Sequence, residues 1–148
     1  MQSILETKVV VLVPPQVKNN GAFDGNTYVD TSEAAEALFL LAVGTTDVII
    51  GSGDTSTEPF IEECDTPGGS YTAVDDAALS AVIAADDDDK VFGIHVDLRR
   101  THKRYMRINA PTAGNATGGA LCAVCLLSRR AKATFDAAGM GLAELVKA

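Results

Sequence analysis

Two histidines, three cysteines, a run of aspartates and a group of basic side chains are the residues in this chain that could do chemistry. His95 lies in an alternating apolar segment, and His102 lies in a basic turn. Acid–base catalysis needs a partner group within hydrogen-bonding reach, and neither histidine has a nucleophile beside it in the sequence. Phosphate-binding loops, nucleophile elbows and zinc-protease helices have recognisable spacings, and none occurs here. The sequence therefore predicts no enzyme and no cofactor site.

Two patterns could bind metal ions. Cys122 and Cys125 have Cys-x-x-Cys spacing, but their segment is apolar and strand-like, and residues three apart on a strand face opposite sides. We therefore expect buried thiols rather than a zinc or redox site. The aspartates at residues 86–89 offer oxygen ligands but lack the spacing and central glycine of a calcium loop. A solvated acidic loop is expected there, with cation binding left open.

A basic cluster is the sharpest charge feature of the sequence. Its members are Arg99, Arg100, His102, Lys103, Arg104 and Arg107. The whole chain is acidic, with a formal net charge of −8. Complementary charge across an interface selects the partner and fixes its register. We predict that Arg99, Arg100, Lys103, Arg104 and Arg107 form a docking patch that pairs with carboxylates at an interface. The alternative is an exposed turn that only keeps the molecule soluble.

Composition limits the class of protein. A length of 148 residues, with 47% hydrophobic and 22% charged residues, predicts one folded domain. The net negative charge opposes direct binding to nucleic acid. The sequence has neither a membrane-length apolar run nor a secretory signal, so we expect a soluble protein made in a cytoplasm.

The segments that position these residues resemble strands and turns. The β-branched run from Lys8 predicts a first strand that ends at Pro14, followed by a long loop over residues 16–31. Residues 34–50 predict two strands joined by a turn at Gly44.

Later segments give clearer patterns. Thr66-Pro-Gly-Gly69 predicts a hairpin turn. Residues 76–85 predict a short helix or an irregular connection. The alternation over residues 91–98 predicts a half-buried strand with residues 105–109 as its partner strand, and residues 120–127 predict a last buried strand.

These segments predict an all-β fold. The expected architecture is a β-sandwich, a jelly roll of about eight strands, with a barrel as the alternative. It occupies residues 1–130, and the chain ends extend from it as arms. The C-terminal arm, residues 131–148, has widely spaced apolar residues and glycines that oppose a long helix. We expect this arm to pack on a neighbouring subunit, which adds Phe135, Met140 and Leu142 to the predicted interface.

Four segments occur in a suggestive order. They are Tyr28-Val-Asp-Thr-Ser, Ala37-Leu-Phe-Leu-Leu-Ala-Val-Gly-Thr-Thr, Ile61-Glu-Glu-Cys-Asp-Thr-Pro-Gly-Gly-Ser-Tyr-Thr-Ala-Val and Lys103-Arg-Tyr-Met-Arg-Ile. This order resembles small structural proteins of tailed bacteriophages, over roughly residues 28–130. The resemblance implies a jelly-roll cement or decoration protein on the capsid exterior, often trimeric, or another head or tail component. The implied partners are the major capsid protein and further copies of this chain, and the implied location is the virion.

Two other functions fit a β-sandwich or barrel less well. A carbohydrate-binding jelly roll usually presents exposed aromatic rings to sugars, and this chain has no Trp and only three Tyr. A cupin-like enzyme needs a histidine-rich metal cluster, which two histidines do not supply.

Overall fold

The chain folds into two antiparallel four-stranded sheets and a separate two-stranded ribbon. The computed structural model describes residues 4–22, 28–51, 58–110, 112–113, 117–128, 130 and 136–146. A short 3-10 helix, Ile4–Glu6, comes first, and these residues include no α-helix. The strands are β1 (Lys8–Lys18), β2 (Val29–Asp30), β3 (Glu36–Thr46), β4 (Ile49–Ile50), β5 (Phe60–Cys64), β6 (Thr72–Ala78), β7 (Val91–Asp97), β8 (Tyr105–Asn109), β9 (Thr112–Ala113) and β10 (Gly119–Ser128). The predicted all-β sandwich is confirmed.

The strands of the two sheets pair in a nested order. The first sheet has the order β1-β10-β3-β7, and the second has the order β2-β8-β5-β6. The hairpin of β5 and β6 is enclosed along the chain by the pair β3 and β7. That pair is enclosed by β2 with β8, and the outermost pair is β1 with β10. The domain is therefore one long antiparallel hairpin whose successive pairs alternate between the sheets.

Alternating side chains fill the space between the sheets. Phe39 and Leu41 from β3 join Met106 and Ile108 from β8 in one hydrophobic cluster, each at most 1% exposed. Burying a side chain of this size contributes about 1.5–3 kcal/mol. The core is consequently the main source of stability.

The first strand continues through both prolines instead of ending at Pro14. Proline cannot donate a hydrogen bond to a neighbouring strand, but β1 is an edge strand whose pairing with β10 is irregular there. Its register shifts between Val11 and Val13 and again between Val13 and Gln16. These irregularities accommodate Pro14 and Pro15 at exposed positions.

Gly44 lies within β3, so the turn predicted at Gly44 is wrong. The chain turns at Asp47 and Val48 instead, just before β4. A Cβ atom at Gly44 would lie 3.2 Å from the Cβ of Ala120. The glycine therefore allows the close approach of β10.

The prediction that β7 and β8 are partner strands is also wrong. β7 pairs with β3 in the first sheet, whereas β8 pairs with β5 and β2 in the second. The basic turn therefore crosses from one sheet to the other. The predicted hairpin is present, because β5 and β6 pair on either side of the turn at residues 65–70. Residues 79–90 form the irregular connection rather than a helix.

Part of the C-terminal arm docks on the chain's own first strand. The amide of Val9 donates a hydrogen bond to the carbonyl of Met140, at 2.6 Å. Arg130 donates to the carbonyl of Gly139 at 3.0 Å. Gly141 has a φ of +73°, and a Cβ atom there would collide with the carbonyl oxygen of Val9. A glycine is thus required where the arm reaches the free edge of β1.

Replacing Gly141 by alanine tests this docking. We expect Gly141→Ala to lower the free energy of unfolding by about 2–3 kcal/mol, measured by urea denaturation, because it adds a collision to an unfavourable φ. Gly21→Ala is the matched control, since Gly21 also has a positive φ, +88°, but open space around the new Cβ. The control should cost only about 1 kcal/mol. Equal costs would contradict docking of the arm on Val9.

Candidate docking face

All three tyrosines of the chain gather on the outer face of the second sheet. In β8, Tyr105 and Arg107 alternate with the buried Met106 and Ile108, so both point away from the core. The rings of Tyr28 and Tyr105 meet edge to face, with centroids 5.3 Å apart. We call the group formed by Tyr28, Tyr71, Arg104, Tyr105 and Arg107 the tyrosine–arginine face.

Arg107 is held in place from two sides. Its Nε donates to Glu62 Oε2 at 2.8 Å, because Glu62 and Arg107 lie directly opposite each other on β5 and β8. Its guanidinium carbon lies 4.1 Å from the centre of the Tyr71 ring, a cation–π contact. Asn109 donates to the other oxygen of Glu62 at 3.2 Å. Burial raises the pKa of Tyr71, and its hydroxyl donates to the carbonyl of Pro67 at 3.1 Å.

Arg104 makes a two-pronged ion pair across the same face. Its Nε and Nη2 donate to the two carboxylate oxygens of Asp30 at 3.0 and 2.7 Å. The guanidinium also lies 5.2 Å from the centre of the Tyr105 ring. The hydrogen bond from Arg104 holds the pKa of Asp30 well below its usual value. Both side chains therefore stay charged at neutral pH.

The rest of the basic turn is tied to the same sheet. His102 Nδ1 donates to Glu63 Oε2 at 3.0 Å, and the Lys103 amide donates to the same oxygen at 3.1 Å. The side chains of His102 and Glu63 are only 16% and 15% exposed. The ammonium of Lys103 donates to the hydroxyl of Thr72 at 2.9 Å.

Carboxylates of its own chain already pair with most of the predicted docking patch. The guanidinium of Arg99 donates two hydrogen bonds to Asp97, at 2.8 and 2.9 Å, at the end of β7 in the first sheet. Within the described residues, the side chain of Arg100 forms neither an ion pair nor a hydrogen bond, and it is exposed. The turn thus divides its charges between the two sheets.

The apolar residues predicted to extend the interface lie elsewhere. Met140 is buried within the chain itself, at 6% exposure, and Leu142 is half-buried beside it in the sequence. The burial of Met140 differs from the expectation that this part of the arm packs on a neighbouring subunit. Phe135 lies outside the described residues.

A polar cleft between β6 and β7 is the arrangement nearest to an active site. It has a volume of about 580 Å³, and its lining includes both histidines of the chain, Glu63 and Thr101. An imidazole oriented by a carboxylate, as in His102 and Glu63, can act as a general base. Among the described residues, however, no hydroxyl or thiol forms a hydrogen bond with His102. The pair instead anchors the basic turn.

The candidate metal ligands are used structurally. Burial raises the pKa of the Cys125 thiol to about 12, while Cys122 lies on the opposite face of β10, as predicted. In the acidic loop, Asp87 accepts a hydrogen bond from the Ala84 amide at 2.9 Å, and Asp88 accepts one from Thr46 at 2.7 Å. The described residues contain no group of three or more His, Cys, Asp or Glu placed to hold a metal ion.

The sequence pattern missed the tyrosines as a group. The outward position of Tyr105 could be read from the alternation in β8. Tyr28 and Tyr71 join it only because β2, β8, β5 and β6 are neighbours in that order, which the local pattern does not specify. The carboxylate partner Asp30 was missed for the same reason.

Comparison with known proteins does not assign this face. No protein-family model matches the chain, and no curated protein matches it in sequence. The part of the chain that the structure describes has no helix with the length and apolar content that a membrane crossing requires.

Replacing Asp30 by asparagine tests the ion pair with Arg104. The folded-state pKa of Asp30 is depressed, so its stabilisation is present above the unfolded pKa and is lost as pH falls through the folded value. Because Arg104 is 54% and Asp30 40% exposed, we expect Asp30→Asn to cost at most about 1 kcal/mol at neutral pH. The difference from the unmodified chain should shrink below about pH 4.

Urea denaturation at several pH values measures this difference. Asp65→Asn, which removes an equal charge from the exposed hairpin turn, is the matched control. A cost for Asp30→Asn that is independent of pH would show that the ion pair is not its cause.

Proposed function

We propose that this chain is a non-catalytic docking subunit, a jelly-roll decoration or cement protein of a tailed-bacteriophage virion. Its partners are the major capsid protein and further copies of itself, without direct binding to nucleic acid or membrane. It is made in the host cytoplasm and acts on the capsid exterior. The observation that carries the proposal is the tyrosine–arginine face on a rigid sandwich.

The strand order supports the jelly-roll topology. Jelly rolls contain eight strands in two sheets, wound as two Greek keys. The nested pairing of β1 with β10, β2 with β8, β3 with β7 and β5 with β6 follows such a winding. The topology also agrees with the resemblance of residues 28–130 to structural proteins of tailed phages.

The chemistry of the face supports protein docking. Tyrosine and arginine are enriched among the residues that contribute most to protein–protein affinity. Here Glu62 and Asp30 orient Arg107 and Arg104 before any partner binds. Groups that are already ordered lose less conformational entropy on association. The face is thus suited to rigid docking on a capsid surface.

A carbohydrate-binding module is the second candidate, because the clustered tyrosines could stack on sugar rings. Arg107 already covers the ring of Tyr71, and Tyr28 meets Tyr105 edge to face. These contacts occupy part of the ring surface on which a sugar would stack. Another head or tail component would use the same face for a different virion protein.

Truncating two tyrosines tests the proposal. The purified chain should co-sediment with empty tailed-phage heads stripped of their decoration proteins, tested as a panel. The double variant Tyr28→Ala with Tyr105→Thr should bind at least about 30-fold more weakly, since such anchors each contribute about 2 kcal/mol or more. Thermal unfolding checks that the variant is folded.

Ile49→Ser is the matched control, because Ile49 is also partly exposed, at 38%, but lies in the β4–β9 ribbon. It should bind heads as the unmodified chain does. A glycan array is probed in parallel. Binding to glycans without binding to any head would reject the virion proposal in favour of the carbohydrate-binding module.

A further inference from the structure

The outer face of the first sheet is apolar across all four of its strands. We call the outward positions Val11, Leu38, Leu40, Val91, Val124 and Leu126 the aliphatic face. They come from all four strands of the sheet, and their neighbours along each strand point into the core. On the two edge strands, Val11 and Val91 are 52% and 66% exposed, whereas the four positions on the central strands are half-buried.

Cross-strand pairing joins these positions into continuous rows. Val11 lies opposite Val124, which lies opposite Leu40. In the next row Leu126 lies opposite Leu38, and His95 follows on β7. Between the rows of Ala120 and Leu126, the described outward positions contain no Asp, Glu, Lys or Arg.

A sheet with one face in water normally alternates apolar and polar residues, whereas strands apolar on both sides belong to sheets covered on both faces. β3 and β10 are of the second kind. Contiguous apolar patches larger than a few hundred Å² are rare on monomers and mark interaction sites. The first sheet therefore requires a second cover.

We propose that a second copy of this chain covers the aliphatic face, sheet against sheet. Two copies that each carry a net charge of −8 repel each other, and their contact is favoured where the surface has no charge. At one rim of the face, Glu36 lies opposite Asp97.

The available area suits such a pair. Four strands spaced about 4.8 Å apart, over a length of about 27 Å, give a projected area of roughly 500 Å² per copy. Side-chain relief increases the accessible area beyond that value, towards the roughly 800 Å² per partner of a standard stable interface. Two sheets can pack face to face about 10 Å apart.

The contact is isologous, because each copy contributes the same face. It relates two copies by a twofold axis and so makes a dimer, where the resemblance to decoration proteins implies a trimer. This inference rests on the self-association included in the proposed function, and it is independent of capsid binding.

Analytical ultracentrifugation over a concentration series tests the proposal. The unmodified chain should sediment as a dimer that high salt does not dissociate, because the contact is apolar. Val124→Arg places an unpaired charge at the centre of the face and should weaken the dimer at least about 100-fold. Val124→Thr keeps β propensity and volume, and it should weaken the dimer less. If thermal unfolding shows that Val124→Arg is not folded, the affinity of the Val124→Thr dimer is compared with that of the unmodified chain instead.

Ala78→Arg, an exposed strand position in the second sheet, is the control and should dimerise normally. A chain shortened to end at Leu142 tests whether residues 143–148 of the arm cover the face instead, and it too should dimerise.

Three results would each overturn the assignment. The first is an unmodified chain that is monomeric or trimeric, the second is a dimer that resists both Val124 variants, and the third is loss of the dimer only on shortening. Any of these outcomes would leave the head-binding test of the tyrosine–arginine face to be judged separately.

Discussion

The central strands of the first sheet are apolar on both sides, and the rest of the structure accommodates this constraint. β10 lies between β1 and β3, and both β10 and β3 carry apolar side chains on both faces. One face is satisfied by the second sheet, through residues such as Met106 and Ile108. Paired charges are concentrated on the outer face of the second sheet and in the turns. The two sides of the sandwich therefore differ in chemistry, one aliphatic and the other aromatic and ionic.

The sequence predicted those parts of the fold that local chemistry determines. Alternation identified β7, and the Pro-Gly-Gly turn identified the hairpin of β5 and β6, because both signals act between residues close in the chain. The roles of Pro14 and Gly44 could not be read in this way. Proline is tolerated where β1 forms an edge, and glycine is required where β3 approaches Ala120. Both depend on neighbours that are distant in sequence.

The candidate site was likewise predicted only where local sequence determines it. The basic cluster was visible from composition, but its pairing state was not. A cluster that looks free in the sequence is partly paired within the chain, because the order of the strands places Asp30 beside Arg104 and Glu62 beside Arg107. The clustered charges in the sequence therefore predicted where the candidate docking face lies. That tyrosines form part of this face became apparent only from the strand order. The geometry changes the expected interaction from charge attraction to ordered tyrosine and arginine side chains.

The nested pairing of strands also determines when the domain can fold. During synthesis, β5 and β6 are the first partners to meet, since their hairpin is the innermost pair. β3 and β1 acquire their common neighbour only when β10 has been made, at residue 128. Until then β1 has no partner strand and one edge of β3 is unpaired, a state prone to aggregation. Closure of the core is consequently a late event in the lifetime of the polypeptide, and chaperones that shield apolar strands are expected to act before it.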